Sequence, residues 1–293
     1  MVEIFYLSPA SGTQYKVCLT LRYPYILFNF MTKLRDYAKQ VRQYCKVLMI
    51  DSGGFPSSFI HNGYNIPDYK YLAFVKTVKA DYFVLRDYPC EPQILRKYNV
   101  TAKNQIHRTL DNHLKLLELY ERSNIVAIPI PVIQGWEIDD YLYCLDLHRE
   151  HGLIGGKFNY VAIGSTCRRQ QVKITQRIIL TVRSELPNKI KLHAFGVKLS
   201  VLDNKAVWNA LYSADSSAWD YWSRYEKRPL NTFEKSLLTC KEYLAKIENL
   251  RQFFENQMCF LVLTAKKHIQ MVRSRSSLQR EEKIEEVGRD ESC

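Results

Sequence analysis

Short apolar runs alternate with amphipathic stretches along most of this chain. The runs are rich in β-branched and aromatic residues and have the length of buried parallel strands: 46–50, 81–86, 126–133, 159–163, 191–197 and 210–214. Between them, apolar residues recur at helical spacing over 67–79, 101–122, 137–150, 169–184 and 201–208. Strand and helix thus alternate about every 30 to 45 residues, which predicts βαβ crossovers and a parallel sheet.

Two further strands in the less regular first 45 residues would complete a closed (β/α)8 barrel of the TIM type. We expect this fold in preference to an open doubly wound sheet. Both folds place the ligand site at the carboxyl ends of the strands. Six polar or glycine positions fall at such ends, and we expect them to surround one site: Asp51, Asp87, Gln134, Gly164, Gly196 and Asp215.

The pattern changes after the last strand and divides the chain into three parts. Residues 1–230 hold the predicted barrel. Over 231–271 we expect a C-terminal helical extension that closes the barrel domain, because Asn231 and Glu234 form a helix-start signature before an apolar-periodic run. The charged segment 272–293 has too few apolar residues to pack and is predicted to be disordered.

Charge and composition narrow the function. The 293 residues carry a formal net charge of +12, which favours a polyanionic partner, with nucleic acid ahead of a membrane surface. No apolar run reaches the roughly 18 to 20 residues that span a bilayer, and the amino terminus does not resemble a secretion signal. We therefore expect a cytoplasmic protein, in the host cytoplasm if it is viral.

The cysteine and histidine positions do not favour a metal site. None of the eight cysteines has a second cysteine at zinc-ligand spacing, so we expect reduced thiols. His148 and His151 lie in a charged stretch, where we predict a solvated helix face.

The first stretch with candidate catalytic residues is Asp51-Ser-Gly-Gly-Phe55, directly after the apolar run that ends at Ile50. The stretch is also compatible with a plain strand-to-helix turn. A second carboxylate, Asp215, lies in a similar context. Two carboxylates can divide a displacement at an anomeric carbon, one as nucleophile and the other as proton donor and acceptor. Glycines allow a planar ligand to approach the backbone, and Phe55 offers a stacking surface.

The order of six motifs resembles the tRNA-guanine transglycosylase superfamily from about residue 47 to 220: Asp51-Ser-Gly-Gly-Phe55, Leu85-Arg-Asp87, Val132-Ile-Gln134-Gly135, Tyr160-Val-Ala-Ile-Gly164, His193-Ala-Phe-Gly-Val197 and Ser213-Ala-Asp215-Ser216. The resemblance implies a (β/α)8 barrel. It also implies that Asp215 is the nucleophile that displaces guanine, and that Asp51 is the general acid/base.

The resemblance further implies a pocket for the exchanged base. Asp87, Gln134 and Gly164 match positions that hydrogen-bond the base, and Phe55 and Phe195 match the two side chains that sandwich its ring. Ser52, Gly135 and Gly196 adjoin these positions in the same motifs. Pro56 stands where the family usually has Gln, and Ser165 replaces the second glycine of a usual Gly-Gly pair.

One departure bears on the substrate. The cysteine cluster and later histidine that bind structural zinc in the tRNA-acting relatives have no match in 216–293, so no metal or other cofactor is expected. A compact barrel of this kind resembles the DNA-guanine transglycosylases of phage and bacterial DNA-modification systems. We therefore expect exchange of guanine for a 7-deazaguanine, such as 7-cyano-7-deazaguanine, in DNA through a covalent glycosyl-aspartate.

The substrate guanine would have to leave the base stack. Basic residues after two strand ends are predicted to hold the flanking phosphates, although each also suits a solvated helix face: Arg168, Arg169, Lys173, Arg224, Lys227 and Arg228.

Other functions stay open at this point. The same reaction on tRNA is one alternative, and a noncatalytic barrel that binds nucleic acid is another. An unrelated barrel hydrolase with a metal at the strand ends is a third. A dimer or a partner protein is compatible with each.

Overall fold

The computed structural model describes residues 1–257, apart from 33 and 157, and these form a parallel sheet curved into a barrel. Its strands are β1 (Ile4–Leu7), β2 (Tyr25–Asn29), β3 (Val47–Asp51), β4 (Tyr82–Val84), β5 (Ile128–Ile130), β6 (Val132–Ile133), β7 (Tyr160–Ile163), β8 (Lys191–Ala194) and β9 (Ser213–Ser216). The strand order is β5-β4-β3-β2-β1-β9-β8-β7-β6, and every pairing is parallel.

The two ends of the sheet meet at Pro131. This proline separates β5, which pairs with β4, from β6, which pairs with β7. Proline has no amide hydrogen, so it interrupts the ladder, but its carbonyl still accepts a hydrogen bond from the Ala162 amide at 2.9 Å. Counting 128–133 as one interrupted strand gives eight strands, so the predicted TIM-type barrel is confirmed.

Helices follow the strands around the outside of the barrel: α1 (Gly12–Leu21), α2 (Asp36–Arg42), α3 (Gly54–His61), α4 (Asp68–Thr77), α5 (Pro92–Tyr98), α6 (Ala102–Glu121), α7 (Ile138–Glu150), α8 (Val172–Glu185), α9 (Leu199–Leu202) and α10 (Lys205–Ala210). A 3₁₀ helix over Ala218–Tyr225 follows β9. The predicted helices 67–79, 101–122, 137–150 and 169–184 correspond to α4, α6, α7 and α8.

The region before β9 differs from the sequence prediction. The helix predicted over 201–208 is two short helices, because the Asn204 side chain accepts hydrogen bonds from the Ala206 and Val207 amides and starts α10 there. Since α10 continues to Ala210, the strand predicted over 210–214 begins later, at Ser213.

Residues 232–257 are helical and form α11. The predicted start signature is confirmed, because Asn231 Oδ1 accepts from the Glu234 amide at 3.0 Å and Glu234 Oε2 accepts from the Asn231 amide at 2.9 Å. Contacts divide the chain into Met1–Leu244 and a unit that begins at Ala245, of which 245–257 is described. The tail predicted over 272–293 lies outside the described residues.

Buried side chains from alternate strand positions pack together as the core of the barrel. They are Ile4, Tyr6, Leu27, Met49, Val84, Ile130, Val132, Tyr160 and Ala162. Residues two apart on one strand point to the same side, which explains why Ile4 and Tyr6, or Tyr160 and Ala162, share this cluster. No helix in the described part of the chain is long and apolar enough to cross a membrane.

Candidate active site

One cavity of about 490 Å³ opens at the carboxyl ends of the barrel strands. Eight of the predicted catalytic and base-binding residues line it: Asp51, Phe55, Asp87, Gln134, Gly164, Phe195, Gly196 and Asp215. Asp51 ends β3, Gln134 directly follows β6, and Asp215 lies inside β9. The barrel therefore brings together positions that are far apart in the sequence.

The other two predicted base-binding residues support the cavity from behind its surface. Ser52 is buried and donates a hydrogen bond to Asp87 Oδ1 at 3.1 Å. Gly135 lies against the start of α7, where a Cβ atom would come within 2.7 Å of the Tyr141 backbone nitrogen. Glycine there permits close packing of helix on strand.

Asp51 is held by two hydrogen bonds at the rim of the cavity. Asn29 Nδ2 donates to Oδ2 at 2.7 Å, and the Gly53 amide donates to Oδ1 at 3.2 Å. The pKa of Asp51 is raised to about 7, mainly by burial; the charges of Asp87 and Asp215 also raise it, while the Gly53 amide opposes the shift. This carboxyl can therefore give and take a proton near neutral pH.

Glycine at position 53 makes the Asp51 geometry possible. Gly53 has φ +76° and begins α3, so the chain turns sharply while the Gly53 amide faces the carboxylate. A side chain would be strained in this left-handed conformation. The turn interpretation of Ser-Gly-Gly is thus confirmed, and the same turn holds the Asp51 carboxyl in place.

Asp215 presents a carboxylate oxygen to the cavity. Its Oδ1 accepts the Gly196 amide at 2.8 Å, and His193 Nε2 lies 3.3 Å from the same oxygen without hydrogen-bond geometry. Within the described part of the chain, no hydrogen bond reaches Oδ2. One oxygen is therefore anchored and the other is available to react.

Behind Asp215, three buried polar side chains are joined by hydrogen bonds that sequence reasoning missed. Tyr160 Oη is 2.5 Å from Ser213 Oγ, which is 2.7 Å from His193 Nδ1. The carboxylate beside Nε2 favours the tautomer with hydrogen on Nε2, so Nδ1 accepts from Ser213 and Ser213 accepts from Tyr160. The signal in the sequence was a histidine and a serine inside apolar strands.

Asp87 is buried in a second set of hydrogen bonds. Gln134 Nε2 donates to its Oδ2, and Tyr64 Oη contacts both the Asp87 backbone and Ser52 Oγ at 2.9 to 3.1 Å. Burial raises the pKa of Asp87 to about 6, while the donors Gln134 and Ser52 oppose the shift.

Sequence reasoning also missed Asn29, Tyr64 and Glu91. Asn29 pairs directly with Asp51 across β2 and β3, so placing β2 would have revealed it. Glu91 lines the cavity although it is only 2% exposed, and burial raises its pKa to about 7. An irregular loop connects Glu91 to the strand before it, and apolar periodicity does not predict the structure of such a loop.

Both predicted stacking residues line the cavity, but each already has a neighbour. The Arg168 guanidinium lies 3.8 Å from the centroid of the Phe55 ring, a stacking distance. Phe195 packs edge-on against His193 at 4.5 Å between ring centroids. A planar base would therefore share the Phe55 side of the cavity with Arg168.

The predicted phosphate-binding residues fall into two groups. Arg168, Lys173, Arg224, Lys227 and Arg228 are exposed, and Arg228 also pairs with Glu226 at 2.6 Å and Glu242 at 3.2 Å.

Arg169 is different, because only 7% of it is exposed. Its guanidinium stacks on Trp136 at 3.8 Å and donates to the carbonyls of Trp136 and Ser165. These contacts argue against the predicted phosphate contact for Arg169.

His148 also corrects a sequence prediction. It is fully buried between α6 and α7, where its Nε2 lies 3.1 Å from His113 Nδ1, so this face of α7 is not solvated. Burial lowers the pKa of both imidazoles. Among the described residues, no three His, Cys, Asp or Glu side chains cluster as metal ligands would.

Comparison with known proteins identifies the family. The family model described as DeoxyPurine in DNA protein A (DpdA) matches residues 20–269. A search of curated proteins gives no match. Because the family match spans well over half of the chain, this protein belongs to the DpdA family of DNA-guanine transglycosylases, which are related to the tRNA-guanine transglycosylases.

Proposed function

We propose that this protein exchanges guanine for a 7-deazaguanine in DNA, through a covalent intermediate on Asp215. One observation carries the proposal. A single cavity holds a carboxylate with an available oxygen, Asp215, and a second carboxyl, Asp51, whose pKa of about 7 suits proton transfer at neutral pH.

In the first step, Asp215 Oδ2 attacks C1′ of the target deoxyribose. The new C–O bond forms as the bond from C1′ to guanine N9 breaks. Protonated Asp51 gives its proton to the departing base, so guanine leaves neutral and Asp51 becomes a carboxylate. The Gly196 amide holds the attacking carboxylate in place through Oδ1.

In the second step, the incoming 7-deazaguanine loses its N9 proton to Asp51. N9 then attacks C1′ and the bond to Asp215 breaks, which restores the carboxylate of Asp215 and the proton of Asp51. Two displacements at the same carbon retain its configuration. The protonation states at the end equal those at the start, so the cycle can repeat.

The cavity wall suits the guanine edge. A carboxylate accepts hydrogen bonds, so Asp87 fits the N1–H and N2–H donors, and the Gln134 amide fits the O6 acceptor beside them. Position 164 requires glycine, because a Cβ atom there would collide with the amide group of Gln134. The target guanine must leave the duplex to reach this wall.

The test is capture of the intermediate. Purified protein mixed with a guanine-containing DNA oligonucleotide, without incoming base, should give an adduct that survives denaturation and is visible by gel shift and mass spectrometry. Asp215→Ala should give no adduct. Asp111→Ala, which removes an exposed carboxylate on α6, is the matched control and should behave as wild type.

Two results would contradict the proposal. An adduct that persists in Asp215→Ala would assign the nucleophile elsewhere. An adduct with tRNA but none with DNA would assign the other nucleic acid.

A further inference from the structure

Four polar side chains form a continuous hydrogen-bonded chain along the cavity wall. Asp87 accepts from Gln134 Nε2, Gln134 Oε1 lies 2.7 Å from Ser165 Oγ, and Ser165 Oγ lies 2.9 Å from Glu91 Oε2. The proposed function uses Asp87 and Gln134, and it leaves Ser165 and Glu91 without a role. Both line the cavity.

The hydrogen bonds between these four side chains run in one direction, because Ser165 has only one hydroxyl hydrogen. The Cys90 amide already donates to Ser165 Oγ at 2.8 Å, so the hydroxyl has one further lone pair and one proton to place. Gln134 turns its amino group to Asp87, so its carbonyl oxygen needs the Ser165 proton. The contact between Ser165 and Glu91 is then a hydrogen bond only if Glu91 donates, which requires a protonated Glu91.

The surroundings of Glu91 favour the protonated form up to about neutral pH. Its pKa is raised to about 7, mainly by burial; the hydrogen bond that Ser165 can donate to the ionised form and the charge of Arg168 oppose the shift, and the charge of Asp87 supports it. Cys90, Cys167 and Tyr141 also face Glu91. Burial raises the pKa of each of these three, to about 12 for Cys167, so they stay neutral near pH 7.

The backbone at Ser165 points to a use for its side chain. Ser165 has φ +52°, a left-handed conformation that glycine adopts without strain and serine does not. Its hydroxyl makes the contacts to Cys90, Gln134 and Glu91, so the serine links the wall to the buried carboxyl.

The order of the four side chains locates Glu91 relative to a bound base, on the basis of the proposed function. Along the guanine edge, the N2 and N1 donors are followed by O6 and then by position 7. Asp87 fits the donors and Gln134 fits O6. Ser165 and Glu91 come next along the same wall, so they lie beside position 7.

We propose that Glu91 and Ser165 form the subsite for the group at position 7 of the incoming 7-deazaguanine, and that protonated Glu91 selects a neutral hydrogen-bond acceptor over a cation. A nitrile or carbonyl group that enters the subsite accepts the proton of Glu91 in place of Ser165 Oγ, while the Ser165 proton stays directed at Gln134 Oε1. An aminomethyl cation finds no acceptor in the protonated subsite and loses its hydration on entry. Ionised Glu91 reverses this preference, because it attracts the cation and offers no donor to the nitrile.

The experiment compares two bases over a pH range. Exchange into a DNA oligonucleotide is measured by nucleoside mass spectrometry with 7-cyano-7-deazaguanine and with 7-aminomethyl-7-deazaguanine, from pH 6 to 8.5. The ratio of kcat/KM for the cyano base to that for the aminomethyl base should fall about tenfold with rising pH in wild type, the size expected for one charged hydrogen bond.

Two variants locate the effect. Glu91→Gln cannot ionise, so its ratio should stay constant from pH 6 to 8.5. Ser165→Gly suits the local φ and removes the hydroxyl whose hydrogen bond lowers the pKa of Glu91, so the fall of its ratio should move to higher pH. Glu150→Gln, an exposed change on α7, is the matched control and should keep the wild-type pH dependence. Thermal unfolding confirms that each variant is folded.

The outcomes separate this inference from the proposed function. Exchange of guanine in DNA for labelled guanine tests the function without any group at position 7. If that exchange fails in wild type, the proposed function is wrong. If it proceeds while the wild-type ratio is independent of pH, or while Glu91→Gln keeps the pH change, the role of Glu91 is wrong.

Discussion

In the proposed mechanism one carboxyl, Asp51, sets the pH range of the first chemical step. Its pKa of about 7 means that it holds a proton to donate below that pH and is ionised above it. We expect single-turnover adduct formation on DNA to fall about tenfold per pH unit above 7. Asp51→Asn should lower the rate about 100- to 1000-fold and abolish this alkaline limb. Quenched time courses from pH 5.5 to 9 measure both effects.

The control experiment changes Asp87, the charged neighbour of Asp51. Asp87 raises the pKa of Asp51, so Asp87→Asn should move the alkaline limb to lower pH. DNA binding, measured separately by anisotropy, should change little in Asp51→Asn. Adduct formation that rises with pH in wild type would remove Asp51 as the proton donor of this step.

Residue by residue, the sequence revealed side chains at the ends of the strands that it placed, and missed Asn29 on the unplaced strand β2 as well as the loop residues Glu91 and Tyr64. Asp51, Gln134 and Asp215 lie on or directly after strands, so their convergence followed from the barrel alone. Glu91 lines the cavity from an irregular segment, and Tyr64, on another such segment, contacts Ser52 and the Asp87 backbone. Their positions depend on contacts, such as the bond from Ser165 to Glu91, that no local pattern encodes.

At the scale of elements, the turn between β3 and α3 depends on Gly53. An added Cβ would meet the Met31 Cβ at 2.9 Å and Asn29 Oδ1 at 3.0 Å, and φ is +76°. Gly53→Ala should therefore lower the free energy of unfolding by about 2 to 4 kcal/mol, from left-handed strain together with the collision. Urea denaturation measures this loss.

A second glycine separates the two causes. Gly152 has φ +68° in an exposed turn, and its Cβ would have no atom within 4 Å. Gly152→Ala should therefore show the strain alone, about 1 to 2 kcal/mol. Equal losses in the two variants would mean that the Met31 and Asn29 contacts do not constrain the turn.

Strands were easier to predict than short helices, for a physical reason. Barrel strands are buried on both faces, so they appear as unbroken apolar runs such as 47–50, directly before Asp51. The segment 199–211 is also rich in apolar residues, and there the Asn204 cap decides where one helix ends and the next begins. Several other polar residues nearby could equally start a helix, so the pattern alone did not identify Asn204 as the cap.

At the scale of the whole molecule, strand and helix alternation predicted the barrel but not how it closes. The run 126–133 looked like one strand. In the structure Pro131 divides it, and its two halves pair with different neighbours. The pairing between strands that are distant in sequence joins β1 to β9, and periodicity describes only one strand at a time.

DNA binding should depend on where the positive charges lie. The net charge of +12 favours DNA, but binding should depend on the face that carries the cavity. Arg224 and Lys227 are exposed in the segment that follows β9, at the carboxyl ends of the strands. Lys46 and Lys189 are exposed before β3 and β8, at the opposite end of the barrel.

Removing two phosphate contacts should lower the slope of log K against log salt by about 2, since each contact to B-DNA contributes about 0.9. The double variant Arg224→Ala, Lys227→Ala should show this loss in anisotropy titrations from 50 to 200 mM salt, a range of roughly fourfold. The double variant Lys46→Ala, Lys189→Ala changes the net charge equally and should keep the wild-type slope. Equal effects of the two pairs would mean that DNA is attracted by net charge alone, and that Arg224 and Lys227 make no phosphate contact beside the cavity.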